Sequence, residues 1–135
     1  MIETIKKLVV KCDPIFVGGV ASLFNGYRND FTEVKDIDIV IPNIDRYGEL
    51  KTREVSTVFD VGNIRGMGQM DGIVIDVFFT TIKPKYIDTT IIDKVEIRHI
   101  NKKGQGRYYR KLLSNTTPKL RRILLDKYKQ ELNYI

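Results

Sequence analysis

Residues 36 to 42 read Asp-Ile-Asp-Ile-Val-Ile-Pro, with carboxylate and branched apolar side chains in alternation and a proline at the end. Successive side chains of a strand point to opposite faces, so this run is predicted to be a strand that buries its isoleucines and shows Asp36 and Asp38 on the other face. The two carboxylates then project together from backbones about 6 to 7 Å apart. They repel each other unless a cation joins them, so the feature constrains both the fold and the chemistry.

The rest of the chain can be read outward from that strand. Ile2, Ile5, Leu8 and Val9 recur at helical spacing and predict an amphipathic helix over 2–11, closed by Asp13 and Pro14. Ile15, Phe16 and Val17 make a short apolar strand, followed directly by Gly18, Gly19 and a helix that ends near Gly26. Residues 27–35 are polar and read as a loop, and 44–53 fit either a surface helix or a loop. Two strands follow, around Val58 to Val61 and Ile73 to Phe79, joined by a stretch containing Gly62, Gly66, Gly68 and Gly72. A further strand is expected within 91–100. Helices are expected over 105–113 and from the Thr117 cap and Pro118 to about Tyr134, with Leu120, Ile123, Leu124, Tyr128 and Leu132 on one face. The fold class is therefore α+β: one domain over residues 1–135, with a mixed sheet of four or five strands packed against helices on one face.

Composition narrows the function. The 135 residues suit one core, and 42% hydrophobic with 30% charged residues is the balance of a folded protein. The single Cys12 cannot form an internal disulfide, and with the single His99 it cannot build a structural zinc site, so any metal is held by oxygen. No apolar run approaches the roughly 20 residues needed to cross a bilayer, and the N-terminus lacks a signal-peptide pattern, so no membrane partner and a cytoplasmic location are expected. The net charge of +6 favours a polyanionic partner.

The chemistry gathers around three places. Asp36 and Asp38 suit magnesium, which shares one or two carboxylates with substrate phosphates. Asp76 lies among Ile73, Val74, Ile75, Val77, Phe78 and Phe79, where an unpaired charge is costly, and it is the expected third ligand. Asp71 is the alternative, and a buried salt bridge is the plainer account of Asp76. Gly18 and Gly19, between a strand and a helix, let the backbone approach phosphate oxygens, and Ser22 could add a hydroxyl.

Strand, Gly-Gly, helix, Asp-x-Asp on the next strand and a later Asp resembles the DNA polymerase beta-like nucleotidyltransferases, over residues 15–79. The runs 16–26 and 35–42 look especially like the minimal and toxin-associated members. The resemblance implies metal-dependent transfer of a nucleoside monophosphate to a hydroxyl with release of pyrophosphate. It implies that Gly18 and Gly19 cradle the triphosphate, that Asp36 and Asp38 bind magnesium, and that Asp76 joins a second ion and helps activate the attacking hydroxyl. The loop over 27–35 reads as an insertion.

Around that nucleus, Arg65 and Gln69 lie in the glycine-rich connection, where a loop could bend over a nucleotide; a solvated turn is the plain alternative. Residues 104–113 interleave tyrosines with cations, which suits stacked bases and phosphates, or else a core stripe with a charged outer face. The cations of the last helix fit a solvated face and His99 a structural role. A nucleoside triphosphate and RNA, with tRNA the best guess, are the expected partners. A protein acceptor is the alternative, as is a non-catalytic nucleic-acid-binding module on the same fold.

Overall fold

The structure is a computed structural model that describes residues 1–41, 58–60 and 65–133, with the side chains of 58–60 and 65–66 outside that description. Its strands are β1 Ile15–Val17, β2 Ile37–Val40, β3 Val58–Asp60, β4 Arg65–Met70, β5 Ile73–Phe78, β6 Ile87–Ile92 and β7 Val95–Ile100. Its helices are α1 Ile2–Cys12, α2 Gly18–Phe24, α3 Lys102–Ser114, α4 Pro118–Lys127 and α5 Lys129–Leu132. The strands form one mixed sheet in the order β3-β4-β5-β2-β1-β7-β6. β2 runs parallel to β5 and β1 parallel to β7, and the other neighbours are antiparallel.

The mixed sheet with flanking helices is as the sequence predicts, but it is wider than four or five strands: seven are present among the described residues. Two tight hairpins account for the difference. The glycine-rich connection contains β4, which turns into β5 through Asp71 and Gly72 at φ 53° and 77°. Two central residues with positive φ match the right-handed twist of hairpin strands, and Asp-Gly is a favoured sequence for that turn. The second hairpin joins β6 to β7 through Asp93 and Lys94, at φ 50° and 65°. The polar stretch read as a loop over 27–35 holds a single 3₁₀ turn, Phe31–Glu33, capped by the Asp30 side chain.

One face of the sheet carries the main core. Phe16, Ile37, Ile39, Ile75, Val77 and Ile97 pack there against Ile5 and Leu8 of α1 and Val20 of α2. Apolar burial of this kind stabilises by about 1.5 to 3 kcal/mol for each large side chain. α1 is tied down at both hairpin turns. Lys6 Nζ lies 2.6 Å from Asp93 Oδ2, while Lys7 Nζ and Thr4 Oγ1 reach Asp71 Oδ2 at 2.9 and 2.8 Å.

The opposite face holds a smaller cluster of Ile15, Val17, Val40 and Ile100 with Tyr86 and Ala21. α3 starts against this second face, so the helices are not confined to one side as expected. Gly104 permits the approach, since a Cβ there would lie 2.7 Å from Ile100 Cγ1 and Tyr86 Cβ. The expected single helix from 117 to 134 breaks at Tyr128, whose φ of −110° and ψ of 27° leave the helical region, and Tyr134 lies outside the described residues. Its apolar stripe is not core either: Leu120 and Ile123 remain 45% and 56% exposed.

Candidate functional site

The register of the sheet brings two of the three expected carboxylates side by side. β2 and β5 are parallel neighbours with Ile37 opposite Ile75 and Asp38 opposite Asp76. Hydrogen-bonded strands lie about 4.8 Å apart, and residues in register share a face, so both carboxylates project together. The alternation explains their setting: Ile37, Ile39, Ile75 and Val77 are buried in the main core, while Asp38 and Asp76 turn to the other face and stay partly exposed. Asp36 stands one residue before β2 and is exposed.

The β1–α2 junction closes on the same spot. Val17 is the antiparallel partner of Asp38, so the residue after it, Gly18, passes directly beside the carboxylate. Gly18 has φ 58°, and a Cβ on it would overlap Asp38 Oδ2 and lie 2.9 Å from Cγ. Gly19 has a different neighbour, since its Cβ would meet Val34 Cγ1 at 3.3 Å. The two glycines thus let the turn approach a carboxylate on one side and the core on the other.

Among the described residues no three Asp, Glu, His or Cys side chains are gathered into a ready-made metal site. Magnesium nevertheless fits the donor set present, because it needs only one or two protein carboxylates when substrate phosphates and water supply the remaining oxygens. Asp38 and Asp76 make such a pair.

The Ser22 hydroxyl, expected to meet a phosphate, is engaged inside the fold. It is fully buried, donating from Oγ to Glu131 Oε1 at 2.9 Å and accepting from Gln105 Nε2 at 2.6 Å. Gln105 also donates to the Gly18 carbonyl at 3.2 Å and accepts from Asn25 Nδ2 at 2.8 Å. Glu131, 0% exposed, pairs with Arg28 at 3.0 Å, and its Oε2 has no hydrogen-bond partner among the described residues. This polar network ties α3 and α5 to the turn that backs Asp38. Sequence reading missed Gln105 and Glu131: the first stands in the tyrosine-and-cation run of 104–113, where the rings and charges draw the reading, and the second among the cations of a last helix that reads as solvated.

The other expected residues separate. Arg65 opens β4 opposite Phe78, with its side chain outside the described part of the structure. Gln69 is exposed on β4, so it belongs to a strand and not to a loop able to fold over a ligand. Asp71 is the hairpin anchor of α1, and Lys7 followed by Thr4 holds its carboxyl below the ordinary range. His99 is structural as expected: it is buried, with Nε2 2.8 Å from Thr90 Oγ1 and Nδ1 3.0 Å from the Ile100 carbonyl. The tyrosine pair divides. Tyr108 is 44% exposed, whereas Tyr109 is buried and stacked on Tyr128 at 4.0 Å between ring centroids. Burial, with Tyr128, Glu131 and Asp38 adding, pushes the Tyr109 phenol far up.

No helix among the described residues is long and apolar enough to cross a membrane. No protein-family model matches the sequence, and no curated protein matches it significantly. Solved structures do. Over 93% of this chain and 91% of the other, the backbone is similar to a Thermotoga maritima protein provisionally named a nucleotidyltransferase, at TM-score 0.68 and 15% identity. It is also similar to ANT(2")-Ia, solved in complex with adenylyl-2"-tobramycin, over 93% and 86% of the two chains at TM-score 0.55 and 12% identity. Likeness at these identities is a likeness of fold, on which different functions can be built. The chain has a nucleotidyltransferase-like fold.

Proposed function

We propose that this protein is a magnesium-dependent nucleotidyltransferase that moves a nucleoside monophosphate from a nucleoside triphosphate to a hydroxyl of RNA. The observation that carries the reading is the register of Asp38 with Asp76 beside the glycine turn at Gly18. A pair of carboxylates on adjacent strands, backed by main chain that tolerates no side chain, suits a triphosphate bridged to the protein by divalent cations.

In this reading Gly18 and Gly19 offer their backbone to the triphosphate, and Asp36, Asp38 and Asp76 hold two magnesium ions. When bound, magnesium neutralises phosphate charge and orients the α-phosphate. The acceptor oxygen attacks the α-phosphorus, the bond from that phosphorus to the bridging oxygen breaks, and pyrophosphate leaves. Asp76 takes the proton of the attacking hydroxyl. Most of the rate enhancement comes from positioning and charge stabilisation. RNA is favoured as acceptor by the net charge of +6.

The test is transfer of label from each α-labelled nucleoside triphosphate, with magnesium, to an extract that is then digested with ribonuclease or protease. The expected result is a ribonuclease-sensitive label that vanishes with chelator and in the Asp38→Asn, Asp76→Asn variant. Label erased only by protease would move the acceptor to protein. No label with any triphosphate would refute the transferase reading.

A further inference from the structure

Past the two carboxylates the same face of the sheet turns apolar. Val40 and Phe78 lie two residues beyond Asp38 and Asp76, about 7 Å along each strand, and are themselves register partners. Together with Val17 they floor a cavity of about 670 Å³ whose opposite wall is α3. That size falls within the range of roughly 300 to 1,000 Å³ typical of ligand sites. The wall is a single helical stripe, because Gly104, Arg107, Tyr108, Lys111 and Leu112 follow one another by three and four residues. The interleaved tyrosines and cations of 104–113 are thereby sorted: Tyr109 and Gln105 go inward, and Arg107, Tyr108 and Lys111 turn to the groove.

The groove has a defined chemical character. Arg107 and Lys111 on one side face Lys83 on the other, and none of the described residues lining it is acidic. The positive potential reaches Tyr86, which also lines the groove. Burial alone pushes the Tyr86 phenol up, yet the charges of Arg107, Lys85 and Lys103, with a hydrogen bond from Lys85, bring it below its ordinary value. The Arg107 guanidinium sits 5.9 Å from the centre of the Tyr86 ring. An aromatic surface is also on offer. Tyr108 lies 5.5 Å, edge to face, from Tyr109, which the stack on Tyr128 holds in place.

We propose that this groove binds the end of a single-stranded RNA, with phosphates on Arg107 and Lys111 and a base on Tyr108, so that the terminal hydroxyl arrives at Asp38 and Asp76. The orientation rests on the nucleotidyl-transfer reading; the binding surface does not. Cations that follow a backbone beside an aromatic platform are the recurring solution for single strands. An amino-sugar acceptor would meet like charge here, and a peptide would leave the three cations without phosphates.

The experiment measures fluorescence anisotropy of a labelled single-stranded RNA of about ten nucleotides, a length within the usual site sizes for single strands. It is run without any triphosphate, on the wild type and on variants whose thermal unfolding shows them folded. The Arg107→Glu, Lys111→Glu variant is expected to bind roughly tenfold more weakly or worse, and its dependence of log affinity on log salt to flatten by about 1.4 for two lost phosphate contacts. Tyr108→Ala is expected to lose about fivefold or more while Tyr108→Phe keeps wild-type affinity. The Asp38→Asn, Asp76→Asn variant removes two negative charges where the RNA end arrives, and it is expected to bind RNA at least as tightly as the wild type even though transfer is lost. Weaker binding by it would overturn the placement of the groove's phosphate contacts on Arg107 and Lys111. Equal weakening by Lys119→Glu, Arg122→Glu, the same charge change on α4, would overturn the proposal in favour of net charge. Loss of magnesium–ATP binding in the groove variant with RNA binding intact would also overturn it, assigning the groove to the nucleotide.

Discussion

Gly18 and Asp38 meet so closely that no side chain fits at Gly18: a Cβ built there would overlap the Asp38 carboxylate. The residue also sits at φ 58°, in the left-handed region that costs an L residue about 1 to 2 kcal/mol. Gly18→Ala therefore carries two penalties, and only one of them reaches the site. We expect a stability loss of at least about 1 to 2 kcal/mol by urea denaturation. We also expect a loss of transfer activity larger than that stability loss explains, because Asp38 must move. Gly26 isolates the two effects. Its φ is 86° and nothing lies within 4 Å of its added Cβ, so Gly26→Ala should show the backbone cost with transfer activity intact. Equal activity losses in the two variants would refute the role given to the Gly18–Asp38 contact.

Ser22 and Glu131 are coupled partners, and a double-mutant cycle should show it. Glu131→Ala removes a fully buried carboxylate and leaves Arg28, 20% exposed at its side chain, without the ion pair seen here. Breaking such a pair costs about 3 kcal/mol or more. Ser22→Ala leaves acceptor and donor groups on Glu131 and Gln105 unmatched, at about 1 to 3 kcal/mol. The double variant should lose less than the sum of the two, with a coupling of about 0.5 kcal/mol or more in denaturant titrations. Strict additivity would mean that the network is not a unit.

The contrast between Asp38 and Ser22 shows what the amino-acid pattern could reveal. Period-two alternation puts the carboxylate of Asp38 on the face of β2 away from the isoleucines, so its exposure was legible, as were the glycine turn and α1, whereas β5 is apolar on both faces and reads as a buried setting for Asp76. That Asp38 would stand opposite Asp76 was not legible, because register between distant strands depends on the whole sheet order. Ser22 reads like a cradle hydroxyl until α5 delivers Glu131 to it, 109 positions along the chain. The strands before both hairpin turns went unread: β4 because its glycines make it read as a connection despite the Asp71–Gly72 turn that follows, and β6 because Asp93–Lys94 lacks the usual glycine. The stripe of Leu120 and Ile123 has helical periodicity but stays exposed, since periodicity reports a face and not what covers it.

His99 makes stability sensitive to mild acid. Burial first, opposed by its bond to the Ile100 carbonyl and by Asp88, lowers its pKa below the ordinary 6.5. Above that value the ring is neutral folded or unfolded and contributes nothing. As the pH falls through it, the unfolded ring takes up a proton that the folded one refuses, so stability declines until the folded pKa is reached. Unfolding free energy measured from pH 7.5 to 5 should fall in the wild type and change less in His99→Gln. Parallel curves would refute the assignment.

Asp71 acts at the opposite end of the pH scale. Its carboxyl is held below its ordinary 3.8 by the Lys7 ammonium first and the Thr4 hydroxyl second. A carboxylate with a depressed folded pKa stabilises fully above its unfolded pKa and loses that contribution as pH falls through the folded value. Asp71→Asn tests the charge cleanly, because asparagine tolerates the left-handed φ of 53° that the hairpin turn requires. Both partners are well exposed, Lys7 at 50% and Asp71 at 38%, so the effect should be modest and weakened by salt. The variant should unfold at a lower temperature than the wild type at pH 7, and the gap should narrow as the pH is lowered from Asp71's ordinary 3.8 to about 2 and the carboxylate takes up its proton. A difference that persists unchanged at that pH would mean that Asp71 contributes turn geometry and hydrogen bonding alone, and that the ion pair joining α1 to the β4–β5 hairpin adds nothing.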